Sequence, residues 1–170
     1  MSNFDTPKQP TFMQSMSLFQ RQMINMSDSL QSFQPSALSR GNFYALFSQK
    51  ILQCNQAVRF DGITGISGLK VSDQSYITIH SSGTYMISYG FTAAEGTTEG
   101  DFVGIKLNDN WITTSLHALP GDGIGVNSTF LFDLQEGQII HMAVQSAHPI
   151  TLQAGNANAN ICILQIVSRT

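Results

Sequence analysis

One hundred and seventy residues, 42% of them hydrophobic and only 11% charged, suit one domain with a sizeable core plus an extension. The formal net charge is −3 and Arg169 is the only Lys or Arg after Lys106, so the basic footprint of a nucleic-acid binder is missing. No stretch approaches the about 18 continuous apolar residues of a membrane-spanning helix, and so low a charge does little to hold copies of the chain apart.

The first ten residues, "MSNFDTPKQP", lack a basic region followed by an apolar run, so no secretory signal is expected. Phe12, Met16, Phe19, Met23, Met26, Leu30 and Phe33 then step alternately by four and three, an a/d heptad pattern that stops before Pro35. The e and g positions hold Ser15, Gln20, Gln22, Ser27 and Ser29, with Met13 also at an e position, so no ion pairs select a partner. Methionine is a permissive core residue, and Ser and Asn lower helix propensity. The segment therefore fits a self-associating helix, a helix docked on its own domain, or a segment ordered only on binding. Residues 1–40 read as an arm for assembly or docking, and residues 41–170 as a separate domain.

From residue 41 the pattern is all β. "NFYALFS", "AVRF", "SYITIH", "GTYMISYGFTA", "DFVGIKLN", "WITTSLH", "IGVNSTFLFDL", "QIIHMAVQS" and "NICILQIV" alternate or run apolar. Gly, Asn, Asp and Pro punctuate them in "GITGISG", "AAEGTTEG", "NDN", "LPGDG" and "LQEG". Regular short strands without helical pattern between them predict a two-sheet antiparallel jelly-roll sandwich, here preceded by a helical or extended arm. No internal repeat points to a propeller or solenoid.

Sorting the strands by their second face divides them. In "SYITIH", Tyr76, Thr78 and His80 are expected to meet solvent, as are Phe102 and Lys106 of "DFVGIKL" and His141 and Gln145 of "QIIHMAVQ". Four other strands have two uncharged faces. "NFYALFS" sets Phe43, Ala45 and Phe47 against Tyr44 and Leu46, and "GTYMISYGFTA" sets Tyr85, Ile87, Tyr89 and Phe91 against Met86, Ser88, Gly90 and Thr92. "IGVNSTFLFDL" sets Val126, Phe130, Phe132 and Leu134 against Asn127, Thr129 and Leu131, and "NICILQIV" sets Ile161, Ile163 and Val167 against Cys162, Leu164 and Ile166. A sheet made of these strands needs cover on its outer side, and copies of the chain are the economical source. The candidate interface residues are Tyr44, Leu46, Met86, Ser88, Thr92, Thr129, Leu131, Leu164 and Ile166.

The opening "NFYALFS", the central "GTYMISYGF", "LQEGQII" and the final "ICILQIV", in this order, resemble the C1q/tumour-necrosis-factor-like jelly roll over residues 41–170. The nearest branch is the bacterial one found as heads of collagen-like spore-surface glycoproteins and in exosporium basal-layer proteins. The resemblance implies a homotrimer packed through an inner sheet of strands A, H, C and F, where the four two-faced strands fall. No Gly-X-Y repeat precedes the domain, so the heptad segment stands where those proteins carry a collagen stalk.

Catalytic motifs are missing: no G-x-S-x-G, no H-E-x-x-H and no Walker loop occur, and no helix follows "GDGIG", which reads as a turn. His80, His117, His141 and His148 lie on separate elements, and Cys54 and Cys162 read as ordinary thiols, with a disulfide as the alternative. Glu95, Glu99, Asp101, Asp109 and Asp122 read as turn formers, with a calcium site as the sharper reading. Asn25 and Asn127 begin glycosylation-type triplets, Asn127 on a strand expected to be covered. Trp111, after "NDN", reads as a core or rim anchor, with ligand stacking as its alternative.

These features predict a non-enzymatic structural protein without cofactor or metal, self-assembling as a trimer into a surface layer or fibre, with a spore surface as its setting. Its other partners would be surface-layer proteins met through residues 1–40. The rival reading is a glycan- or receptor-binding tip, such as a phage fibre adhesin on a virion, with Trp111 and the loops at 95–101 and 119–125 as its contacts.

Overall fold

The structure is a computed structural model that describes residues 38–52, 54–152 and 158–169. The heptad residues of the arm and Asn25 lie outside them. The described residues belong to one compact unit, Ala37–Thr170.

Its strands, in chain order, are β1 (Arg40–Ala45), β2 (Gln49–Ile51), β3 (Gly62–Ser67), β4 (Leu69–Ser72), β5 (Tyr76–Ile79), β6 (Gly83–Thr92), β7 (Phe102–Leu107), β8 (Asn110–Trp111), β9 (His117–Ala118), β10 (Gly125–Leu134), β11 (Ile139–Gln145), β12 (Ile150–Leu152) and β13 (Ala159–Ser168). One sheet runs β10-β6-β13-β1-β3 and the other β4-β5-β11-β7-β8, with β9 also on β7 and a short β12-β2 pair apart. Every pairing is antiparallel. The expected jelly-roll sandwich is what forms.

The alternation in sequence becomes the two sides of each sheet. Phe43, Tyr85, Ile87, Tyr89, Phe91, Ile161 and Ile163 of the first sheet are buried with Ile77, Ile79, Val103, Ile105, Ile140 and Met142 of the second. The buried phenols find acceptors, Tyr85 in the Ser81 carbonyl at 2.7 Å and Tyr89 in the Ser115 carbonyl. Ser115 ends a 3-10 turn, Thr113–Ser115, that follows β8. Its hydroxyl accepts from the Ile105 N–H at 2.8 Å, giving that buried donor a partner outside the strand ladder.

Turn chemistry sets the registers. Asn108 and Asp109, at φ 46° and 65°, form the two-residue connection of β7 to β8, a type I′ position pair that suits these residue types. Asp73 and Gln74, at φ 50° and 57°, open the three-residue connection of β4 to β5, where the Ser75 N–H donates to the Ser72 carbonyl at 3.1 Å.

Four side-chain expectations fail here. Lys106 and His141 do not face solvent but are 8% and 3% exposed. The Lys106 ammonium lies over the Trp111 ring, 5.2 Å from its centroid, and His141 packs edge-on against Tyr76 at 5.0 Å. Long or ring-shaped polar side chains bury their apolar parts when aromatic neighbours stand beside them on the same face. Phe47 leaves the core side and is 71% exposed. The Asp61 carboxylate accepts the N–H groups of Leu46 and Phe47, both at 2.8 Å, and β1 ends at Ala45. Val167 is exposed as well, because a bulge between Gln165 and Val167 breaks the alternation of β13.

At the start of β1, Ser39 is buried in a polar knot with Gln165. The Gln165 side-chain oxygen accepts from the Ser39 N–H at 3.0 Å and the Ser81 hydroxyl at 3.2 Å, while its Nε2 donates to the Ser82 carbonyl at 3.1 Å. The folded unit thus includes residues just ahead of 41.

Candidate self-association surface

The face of the first sheet that points away from the core is built from rows across its strands. Leu131, Met86, Leu164 and Arg40 lie in one register row over β10, β6, β13 and β1. The next row is Thr129, Ser88, Cys162, Asn42 and Thr64, with Thr129 donating to the Ser88 hydroxyl at 2.9 Å. Then come Asn127, Gly90, Asn160, Tyr44 and Gly62.

Glycines shape this last row. A Cβ on Gly90 would meet Asn127 Oδ1 at 2.6 Å and Asn160 Oδ1 at 2.9 Å, so the two amides converge over a strand position that must stay bare. A Cβ on Gly62 would enter the Tyr44 ring at 1.9 Å, so the ring rests against the start of β3 where only a glycine leaves room.

Among the described residues, the one ion pair at this face lies at its rim. Arg169 pairs with Asp133 at 2.9 Å, and the Thr84 hydroxyl donates to Asp133 at 2.6 Å. That hydroxyl first, and Arg169 second, hold the Asp133 carboxyl below its ordinary range. Both partners are largely in solvent, so the pair adds little stability to the chain itself. Inside the rim, Arg40 at the β1 end of the leucine row is the one charged side chain of these three rows.

Leu131, Leu164 and Ile166 are exposed large apolar side chains, and Leu131 is 61% open. Leu46, just past the end of β1, is exposed too, and Thr92 ends β6 beside Gly125. The structure thus places Tyr44, Met86, Ser88, Thr92, Thr129, Leu131 and Leu164 on one face, with Ile166 at the bulge and Leu46 at the end of β1. Between β1, β3 and β13 the same face holds an apolar depression of about 240 Å³ lined by Arg40, Asn42, Thr64, Gly65, Cys162 and Leu164 among others. Its floor follows a register shift between Arg40 and Asn42, opposite which Gly65 takes φ +63°.

The sequence places Asn127 and Cys162 on this second face without counting them among the interface residues, and Asn160, one period-two step before Cys162, was missed. Asn127 is exposed in the single chain. Cys54 and Cys162 are free and exposed, so the disulfide alternative does not hold.

The other titratable groups serve local structure. Asp101 accepts from the Thr98 N–H and hydroxyl, and Asp122 from those of Thr97, which draws the Asp122 carboxyl below its ordinary range. Burial lowers the His141 imidazole; Asp109, 4.0 Å away, opposes this and Lys106 adds to it. Among the described residues, no three His, Cys, Asp or Glu side chains gather as a metal-holding group. His117 packs against Tyr89.

No family model and no curated protein matches the chain. Solved structures do. The globular domain of zebrafish complement 1qA protein superposes with a TM-score of 0.54 at 10% identity, covering 77% of this chain and 99% of that one. GITRL from bushbaby gives 0.51 at 11% identity over 77% and 96%, and GITRL from pika 0.51 at 13% over 78% and 98%. At such identities the likeness concerns the fold, a C1q/tumour-necrosis-factor-like jelly roll.

Proposed function

We propose that the chain is a non-enzymatic structural protein whose jelly roll closes into a homotrimer through the outward face of β10, β6, β13 and β1. The observation that carries this reading is the apolar row Leu131, Met86 and Leu164, flanked by the uncharged Thr129–Ser88–Cys162 row and carrying a single charge, Arg40 at its β1 end, with Leu131 and Leu164 exposed in a single chain. An exposed neutral sheet face of this kind is a standing liability unless a partner covers it.

The face also holds a protrusion and a recess at different strands. Leu131 stands out on β10, an outer strand of the sheet, while the apolar depression lies between β1, β3 and β13. A protruding side chain that seats in a neighbour's recess makes a head-to-tail contact, and such contacts form a ring where the rotation between neighbours closes. The resemblance to C1q/tumour-necrosis-factor-like domains supports closure at three. The residues ahead of 38 serve as the arm through which trimers meet other subunits, and the resemblance to exosporium proteins supports a spore surface as the setting.

Light scattering behind a sizing column tests the reading on the full chain and on residues 38–170, the shortened chain retaining the Ser39 knot. Trimer mass for both supports it, with larger species confined to the full chain. A monomeric mass for both at micromolar concentration refutes it.

A further inference from the structure

Beside the Leu46 end of that face, two adjoining depressions of about 180 and 580 Å³ share Arg59 and Gln74 and form one groove. Phe47, Ser48, Gln49 and Asp61 line one part, and Asp73 and Tyr76 are among the residues lining the other.

The groove is preorganised. Gln49 grips the Arg59 backbone at both groups, donating to its carbonyl at 2.8 Å and accepting from its N–H at 3.0 Å. The guanidinium donates to Gln74 Oε1 at 2.7 Å. Gln74 holds that position with a left-handed backbone at φ 57°, a conformation that a residue with a long side chain adopts only against steric resistance. Asp61, by binding the Leu46 and Phe47 N–H groups, holds the Phe47 ring out at the groove's edge.

Arg59 makes no ion pair among the described residues. Its other N–H groups and the Gln74 amide nitrogen are donors, while Asp61 and Asp73 supply carboxylate acceptors. One cation against two carboxylates leaves the groove slightly negative, which disfavours an anionic ligand. Alternating donors and acceptors suit hydroxyls, each of which donates and accepts, and an open aromatic ring suits the apolar C–H face of a pyranose. We propose that this groove binds a neutral carbohydrate, stacked on Phe47 and hydrogen-bonded by Arg59, Gln74 and Asp61.

Saturation-transfer NMR on the full chain tests this with maltotriose, cellotriose and chitotriose as neutral probes and trigalacturonate as the acidic one. Transfer to at least one neutral trisaccharide is expected, and Phe47→Ala and Arg59→Ala should each weaken its binding about tenfold, the scale of one lost stacking or charge-assisted contact. Phe47→Ala removes an exposed side chain, and Arg59→Lys serves as a second variant that keeps the charge but loses the planar fork. Transfer to no neutral probe, transfer to trigalacturonate alone, or unchanged affinity in either alanine variant overturns the proposal. Mass measured on the same samples separates this site from self-association, since the sugar-site variants should keep the wild-type oligomer.

Discussion

Leu131→Glu puts the self-association face to its sharpest test. With 61% of Leu131 open in the single chain, about 1–2 kcal/mol of the ~1.5–3 kcal/mol for fully burying a leucine remains to be gained on assembly. Three copies make that about 3–6 kcal/mol per trimer, or a factor of about 10² to 10⁴ in its association constant. A carboxylate at the same place adds a desolvation penalty of several kcal/mol per copy. The folded single chain, by contrast, should change by no more than about 0.5 kcal/mol, because the site is on its surface. Sedimentation equilibrium over a concentration series, with urea unfolding of the dissociated chain, reads both quantities. A variant that stays trimeric at wild-type concentrations refutes the assignment of this row to the interface.

Further outcomes follow from the same contacts. Cys162 should resist a maleimide reagent in the assembled protein and react once the trimer is dissociated by Leu131→Glu, while Cys54 reacts in both; equal labelling of Cys162 in both states argues against burial of the Thr129–Ser88–Cys162 row. Because burial lowers the His141 imidazole from its ordinary 6.5, the unfolded chain takes up this proton first. Stability from this group is therefore complete above about pH 6.5 and is lost as pH falls through the lower folded value, so the thermal midpoint should decline on acidification and decline less in His141→Gln. Gln165→Leu leaves the buried Ser39 N–H without its acceptor and should destabilise the domain by about 1–3 kcal/mol in urea titration. Gly90→Ala should barely alter the single chain, since only side-chain oxygens must move, yet weaken the trimer by parting Asn127 from Asn160, which a dilution series by light scattering detects.

The two-faced strands were legible because a period of two survives in any strand that is buried on one side. Tyr85, Ile87, Tyr89 and Phe91 point inward, and Met86, Ser88 and Thr92 outward, as their spacing predicts. What stayed hidden depended on contacts across the chain. Lys106 and His141 are adjacent only because β7 pairs with β11, and their burial needs Trp111 and Tyr76 on flanking strands. Phe47 turns outward because Asp61, on the far side of a loop, takes its N–H. The Arg59 groove joins residues from the β1–β2 loop, the approach to β3 and the β4–β5 turn, so no local pattern announces it.

The pairing of β1 with β13 also sets a clock. Arg40 lies opposite Leu164, so the first strand of the domain has no central partner until the last has emerged from the ribosome. Before then the row through Leu131, Met86 and Leu164 is missing one of its members, and β6 lacks one of its two neighbours. The face proposed to self-associate is therefore complete only in a finished domain. The penalty of such late closure falls on interrupted synthesis: a chain halted ahead of β13 displays two unpaired apolar strand edges, on β1 and β6, and becomes a substrate for chaperones or aggregation.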